Sequence, residues 1–238
     1  MNGWAARRFW TDAIVRPEGD GFAVLLDARP LRTPQKAPLI LPTQALAREV
    51  AAEWQAQGAV VDPAGMPFTR TANSAIDTVT PRFGAVAGML AAYAATDLLC
   101  YRAEGPAPLV ARQAAAWDPL LDWSATALAA PLVTTAGVMH VAQPDSSLAA
   151  LAAEVHALAP FPLAALHDLV CLSGSLVLAL AVARGRLTAP AAWSLSRIDE
   201  DWQIALWGDD EDAAETAAFR RAAFLQADRF YALCGPHP

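Results

Sequence analysis

Apolar and polar positions alternate in short runs over the first forty residues. From about Pro81 onward they recur at helical spacing, so the chain changes architecture along its length. Thr11 to Arg16 and Phe22 to Asp27 flank EGDG, where Gly19 and Gly21 permit positive φ, which predicts a β-hairpin. Arg29 to Thr33 and Leu39 to Leu41 read as short edge strands, because Pro30, Pro34, Pro38 and Pro42 forbid a long ladder. Thr43 caps a predicted helix reaching about Gln57, with Leu46, Val50 and Trp54 on the face that covers the sheet and Gly58 as its stop. Residues 59–77 contain two prolines and read as an extended crossing segment, packed along the body through Met66 and Phe68.

Beyond it the helical pattern predicts Phe83 to Arg102, Pro108 to Ala130 with Pro119 kinking or splitting it, Ser146 to Leu158 and Pro162 to Arg184. Two further helices flank Gly208. Leu132 to Val141, rich in valine and threonine, is the exception and favours extended structure. The fold class is therefore α+β. A small N-terminal antiparallel β-sheet layered with a helix (1–80) precedes a larger orthogonal α-helical bundle (81–238).

The stretch Thr188 to Glu215 carries three of the eight tryptophans. Thr188 as cap and Pro190 in the first turn predict one helix of about five turns, ending at Gly208. On it Leu195, Ile198, Trp202, Ala205 and Leu206 form one apolar stripe, and Trp193, Ile204 and Trp207 lie opposite, with Glu200 between the last three. A helix apolar on two faces is either central or uses one face for a partner. Asp209, Asp210, Glu211 and Asp212 read as the acidic first turn of the next helix. Asp199, Glu200 and Asp201 fall inside the predicted helix, where they gain nothing from its dipole. Arg197 can pair with Glu200 or Asp201; alternatively Glu200 offers a carboxylate to a basic group on a partner.

Charge narrows the class. Removing the eight acidic residues between 199 and 215 would take the net charge from −7 to +1, so the acidity is local. There is no basic stripe for nucleic acid. Cys100, Cys171 and Cys234 are far apart and read as reduced thiols, without zinc spacing. The amino terminus lacks the apolar region of a secretory signal, so a cytoplasmic chain, or a processed one, is expected. Leu169 to Ala183 is uncharged but shorter than the ~20 residues that span a bilayer, which predicts a buried core helix and no membrane insertion.

No catalytic constellation emerges. Ser173, Gly174 and Ser175 fall inside a predicted buried helix, where small residues permit close packing. His140, His156, His167 and His237 lack ligand spacing, and His167 and Asp168 point to different helix faces. No phosphate loop or dinucleotide fingerprint is present, so no catalytic residue, cofactor or metal is assigned. Two other classes stay open: a metal-dependent hydrolase using the acidic cluster 199–215, and a peripheral membrane module using exposed tryptophans, against which the acidity argues.

Several collinear strings carry a resemblance. RRFW (7–10), LDARPLRTP (26–34), LPTQALAREVAAEWQAQG (41–58) and MPFTRTANSAID (66–77) are joined by YAATDLLCYRAEGP (93–106), QAAAWDPLLDW (113–123) and SRIDEDWQIALWGDDEDA (196–213). Together they resemble the ATP-twelve family, the assembly chaperones of F-type ATP synthase. Ala28 stands where that family is expected to have glycine, Phe68 where it is expected to have leucine, and residues 131–165 carry no such string. The resemblance implies a non-enzymatic, monomeric chaperone. It would bind the free alpha subunit of the synthase head and prevent its aggregation before the ring forms, in the bacterial cytoplasm or, for a processed eukaryotic form, the mitochondrial matrix. It implies partner-facing roles for Asp199, Glu200 and Asp201, with Trp193 and Trp207 as contact aromatics and Trp202 in the core. Asp97, Tyr101 and Arg102 are then candidates for an internal polar cluster, and Trp117, Asp118, Asp122 and Trp123 for scaffold.

Overall fold

The computed structural model describes residues 7–208 and 210–235, so the expectations for Asp209 and His237 lie outside the described residues. The chain divides into two units. The first comprises residues up to Phe83 together with Ala159–Ala165 and the segment from Arg229; the second comprises Gly84–Leu158 and Leu166–Asp228. The linear division 1–80 and 81–238 did not include the two later segments of the first unit.

In the first unit β1 (Ala13–Glu18) and β2 (Gly21–Leu26) form the expected hairpin, in register from Ala13↔Leu26 to Glu18↔Gly21. Gly19, at φ +59°, takes the left-handed turn position. β3 (Arg29–Pro30) and β4 (Ile40–Leu41) both pair with β2, as short as the prolines require. At Gly21 a β-carbon would lie 2.6 Å from the Leu41 carbonyl oxygen, so the close pairing of β2 with β4 needs glycine there.

Helix α1 (Gln44–Gln55) begins where the Thr43 hydroxyl accepts the Leu46 N–H, and it buries Leu46, Ala47, Val50 and Ala51 against β1 and β2. Its Glu53 then does something the sequence did not reveal. The carboxylate accepts the N–H groups of Phe68 and Thr69 at 2.6 and 2.8 Å and the Thr69 hydroxyl at 2.7 Å. It thereby caps α2 (Pro67–Ser74), a helix where extended chain was expected. Pro67 in the first turn was the local cue. Met66 and Phe68 are buried as expected, and Phe68 stacks on Phe230, which stacks on Phe161.

The expected helix 83–102 stops early. α3 (Phe83–Ala91) gives way to tighter turns at Ala92–Thr96 and Leu98–Cys100 because Asp97 adopts an extended ψ of 134° and caps the second turn through the Leu99 N–H. Tyr101–Arg102 is then β5, paired in parallel with β6 (Thr135–Ala136), inside the segment read as extended. By length and composition the helical run Pro67–Cys100 is apolar enough to cross a bilayer, a measure that the core helix of a soluble protein also passes.

Between β5 and β6, α4 (Ala107–Ala127) accommodates Pro119 without splitting; α5 (Asp145–His156) follows β6. The predicted helix 162–184 is two helices, α6 (Pro160–Ser173) and α7 (Leu176–Ala183). Gly174, at φ +73°, ends the first, and the Ser175 hydroxyl accepts the Leu178 N–H to start the second. LSGSL is therefore a helix break, not a helix interior. α7 is buried from Leu176 to Val182 and packs on α4 and on α8 (Ala189–Leu195). α9 (Ile198–Trp207) and α10 (Glu211–Leu233) complete the described chain.

Candidate functional site

The single helix expected from Thr188 to Trp207 breaks at Ser196 and Arg197, where the Arg197 backbone, at φ −113° and ψ 11°, leaves the helical region. Thr188 and Pro190 start α8 as expected. At its end the buried Trp117 indole donates to the Leu195 carbonyl at 2.9 Å, satisfying one of the open last-turn acceptors. Trp193 is 6% exposed, tilted against Phe224 at 5.8 Å between ring centres and covered by the Arg197 guanidinium. The assignment of Trp193 as a contact aromatic is therefore corrected: it anchors α8.

The break also changes what the three carboxylates do. Asp199, Glu200 and Asp201 occupy the first turn of α9, at the positive end of its dipole, where each contributes roughly 0.3 to 1 kcal/mol. The reading that they gain no dipole benefit is overturned. Asp199 is also tied down: it accepts the side-chain amide of fully buried Gln113 at 2.5 Å, while the Gln113 oxygen takes the Ala103 N–H at 2.8 Å. Glu200 pairs with Arg197 at 3.2 Å, yet its side chain keeps 51% of its exposure against 16% for Arg197. Asp201 is half-buried.

Past this turn α9 has no buried residue. Trp202 is half-buried, not core, and Ile204, Leu206 and Trp207 are exposed, Trp207 to 81%. Trp207 donates its indole N–H to Gln203 one turn back, at 3.1 Å. On α10 Phe219 is 72% exposed, which sequence reasoning missed because its neighbours on that helix are mostly polar or alanine. Between the two helices runs a groove of about 510 Å³ lined by Arg197, Glu200, Ile204, Thr216 and Arg220 among others. It adjoins a hollow walled by Asp212, Glu215, Thr216 and Phe219. Ile204 is thus flanked in the groove by the Glu200 and Asp212 carboxylates and the Arg197 and Arg220 guanidinium groups. Asp210 accepts the Ala213 N–H at 3.0 Å, so it, Glu211 and Asp212 are the expected helix punctuation.

The other expected cluster separates into two. Asp97 is fully buried and accepts the Ser175 hydroxyl at 2.7 Å and the N–H groups of Leu99 and Val177 at 3.0 Å. Burial pushes its carboxyl upward against those hydrogen bonds, which favour the ion. All its partners belong to the chain, which makes it a brace for the α6–α7 break. Arg102 donates to the Leu99 carbonyl, pairs with Asp118 at 2.8 Å and covers Trp117, a scaffold role for Trp117 and Asp118. Tyr101 faces His140 instead.

His167 and Asp168 were read as facing apart; they meet at 3.0 Å, Nδ1 to Oδ1. The other ring nitrogen lies 3.7 Å from the Cys171 sulfur. Among the described residues no group of three or more His, Cys, Asp or Glu side chains is placed to hold a metal ion, and the acidic cluster 199–215 gives the hydrolase reading no support.

Comparison with known proteins adds an independent line. Residues 7–125 match a family described as ATP12 chaperone protein. The whole fold is similar to the crystal structure of Atp12 from Paracoccus denitrificans, at 57% identity and a TM-score of 0.94, covering 98% of this chain and 100% of that one. A point mutant of the same organism's protein is similar at 56% identity and a TM-score of 0.94, covering 97% of this chain and 98% of that one. A protein from Agrobacterium tumefaciens is similar at 44% identity and a TM-score of 0.89, covering 94% and 84%.

Proposed function

The chain belongs to the ATP12 family of chaperones, which assemble ATP synthase, and from that premise we propose that it holds the free alpha subunit of the F-type synthase head on its α9–α10 surface. The observation that carries this reading is Trp207, 81% exposed and hydrogen-bonded to Gln203, which lines a groove with the half-exposed Glu200. Exposed large apolar side chains such as Ile204, Leu206 and Trp207 on one helix, next to charged groups, are what a protein-binding surface requires. Alpha subunits bury extensive apolar surface in the finished ring and are aggregation-prone before it forms. A holder must cover that surface and then yield it, so modest affinity with fast release suits the task. Tryptophan supplies contact area and Glu200 steers a basic group into register.

The reading is non-enzymatic and has the chaperone act as a monomer, in the bacterial cytoplasm or, for a processed eukaryotic form, the mitochondrial matrix. Its test is light scattering of isolated alpha subunit with and without the chaperone, paired with pull-down against alpha, beta and the assembled head. Alpha stays clear and is captured alone. Aggregation at the same rate with and without the chaperone would sink the reading.

A further inference from the structure

One side-chain cluster in the second unit lies outside the residues assigned to that capture, although its cleft shares Arg197, Glu200 and Arg220 with the groove. On α6, Asp168 holds His167 through Nδ1 at 3.0 Å, and His167 presents Nε2 to the Cys171 sulfur at 3.7 Å. From the turn Ala92–Thr96, Tyr93 directs its hydroxyl at the same sulfur from 3.6 Å. Cys171 is exposed and lines a cleft of about 320 Å³ with Gly174, Arg197, Asp199, Glu200 and Arg220. A carboxylate, an imidazole and a thiol in that order, with the thiol open to solvent, are the parts of an activated nucleophile.

We propose that Cys171, set between His167 and Tyr93 at the mouth of this cleft, is a site of reversible mixed-disulfide formation with low-molecular-weight disulfides of the cysteine-peptide class. The inference does not rest on alpha-subunit capture. The thiolate sulfur attacks one sulfur of the incoming disulfide, the S–S bond of the reagent breaks, and the new bond joins Cys171 to half of it. The other half leaves as a thiolate and takes a proton from the His167 imidazolium or from water. Cys171 is oxidised and the leaving half is reduced, so no further oxidant is needed.

The electrostatics favour the step. The Asp168 carboxylate and the Cys171 sulfur together hold the His167 imidazolium up to about 10, so it is charged at neutral pH. The His167 hydrogen bond, assisted by the Tyr93 hydroxyl, draws the Cys171 thiol below its ordinary value despite partial burial and the Asp168 charge, which oppose it. The charged groups of the cleft, Arg197 and Arg220 against Asp199 and Glu200, are matched in number. The other two thiols do not compete: Cys100 and Cys234 are buried, which pushes each up to about 12.

The experiment follows reaction of the intact native protein with the uncharged probe dithiodipyridine between about pH 6 and 8, reading released thiopyridone. One thiol reacts, and its rate climbs less steeply with pH across that range than that of an unperturbed thiol, because the His167 and Tyr93 hydrogen bonds favour the thiolate. His167→Gln makes the rate climb roughly tenfold per pH unit and leaves it about tenfold slower at the acid end. Cys171→Ser abolishes the fast phase. Tyr93→Phe, which removes one donor, shifts the profile in the same direction by less and serves if the His167 variant fails to fold. Glutathione disulfide then gives a single adduct on the intact protein, seen by mass spectrometry and removed by dithiothreitol. A wild-type profile that climbs as steeply as an unperturbed thiol, or no glutathione adduct at pH 7, overturns the proposal.

Discussion

Trp193 and Trp207 occupy successive helices, yet one is 6% and the other 81% exposed. Trp193 has Phe224 against its ring and Arg197 over its face; Trp207 reaches back along its own helix to Gln203. Two non-helical residues, Ser196 and Arg197, separate these fates by ending α8 after its anchor and starting α9 afresh. Before the break, apolar residues serve the core; after Ile198 they are left for something else. Large aromatic side chains do not announce which they are, because burial depends on what the rest of the chain brings opposite them.

The contrast can be broken most forcefully at Trp193. Trp193→Ala should destabilise the protein by about 3 to 5 kcal/mol, the usual cost of emptying a buried tryptophan site, read as a lower denaturant midpoint. Trp207→Ala should do the reverse: stability unchanged within about 0.5 kcal/mol, and capture of isolated alpha weakened by about 2 kcal/mol, near thirtyfold. Calorimetric titration beside a denaturation curve checks both. A Trp207 variant that unfolds early but binds normally would place this residue with the core. Next in size comes Asp199→Ala. It removes the acceptor of a buried Gln113 amide and one first-turn carboxylate, a loss of about 1.5 kcal/mol, again by denaturation.

How much of this was readable beforehand follows from where each determinant lies. The hairpin, the proline-shortened strands and the Thr43-capped helix are set by neighbours within a few positions, and the pattern identified them. The breaks are not local. Ser175 is fixed by Asp97, 78 residues away, and the end of α8 is received by Trp117, also 78 residues away. Start of α2 depends on Glu53 from another helix. For the surface, spacing left open whether the second face is central or meets a partner; Trp207 and Glu200 are exposed, while Trp193, on the far side of the break, is buried. The Cys171 cluster escaped for a related reason: Tyr93 arrives from 78 residues away, and adjacent His167 and Asp168 bend toward each other across the helix surface.

Smallest, and most specific to the exposed half, is the charge at Glu200. Replacing it with lysine leaves Arg197 facing a like charge and sets a cation at the positive end of α9, so stability should fall slightly, by under about 1 kcal/mol. Capture should fall by about 1 kcal/mol, roughly fivefold, if a basic group of the partner meets this carboxylate. Glu200→Gln separates the two effects, since it keeps shape and drops charge without creating repulsion. The steering role requires the glutamine variant to lose part of the association rate at low salt and to converge on the wild type as salt rises, because screening removes in both what the substitution removed in one. Stopped-flow association at two ionic strengths reads this directly. Identical rates for wild type and Glu200→Gln at low salt would reduce Glu200 to a helix-start residue paired with Arg197, leaving Trp207 to carry the surface.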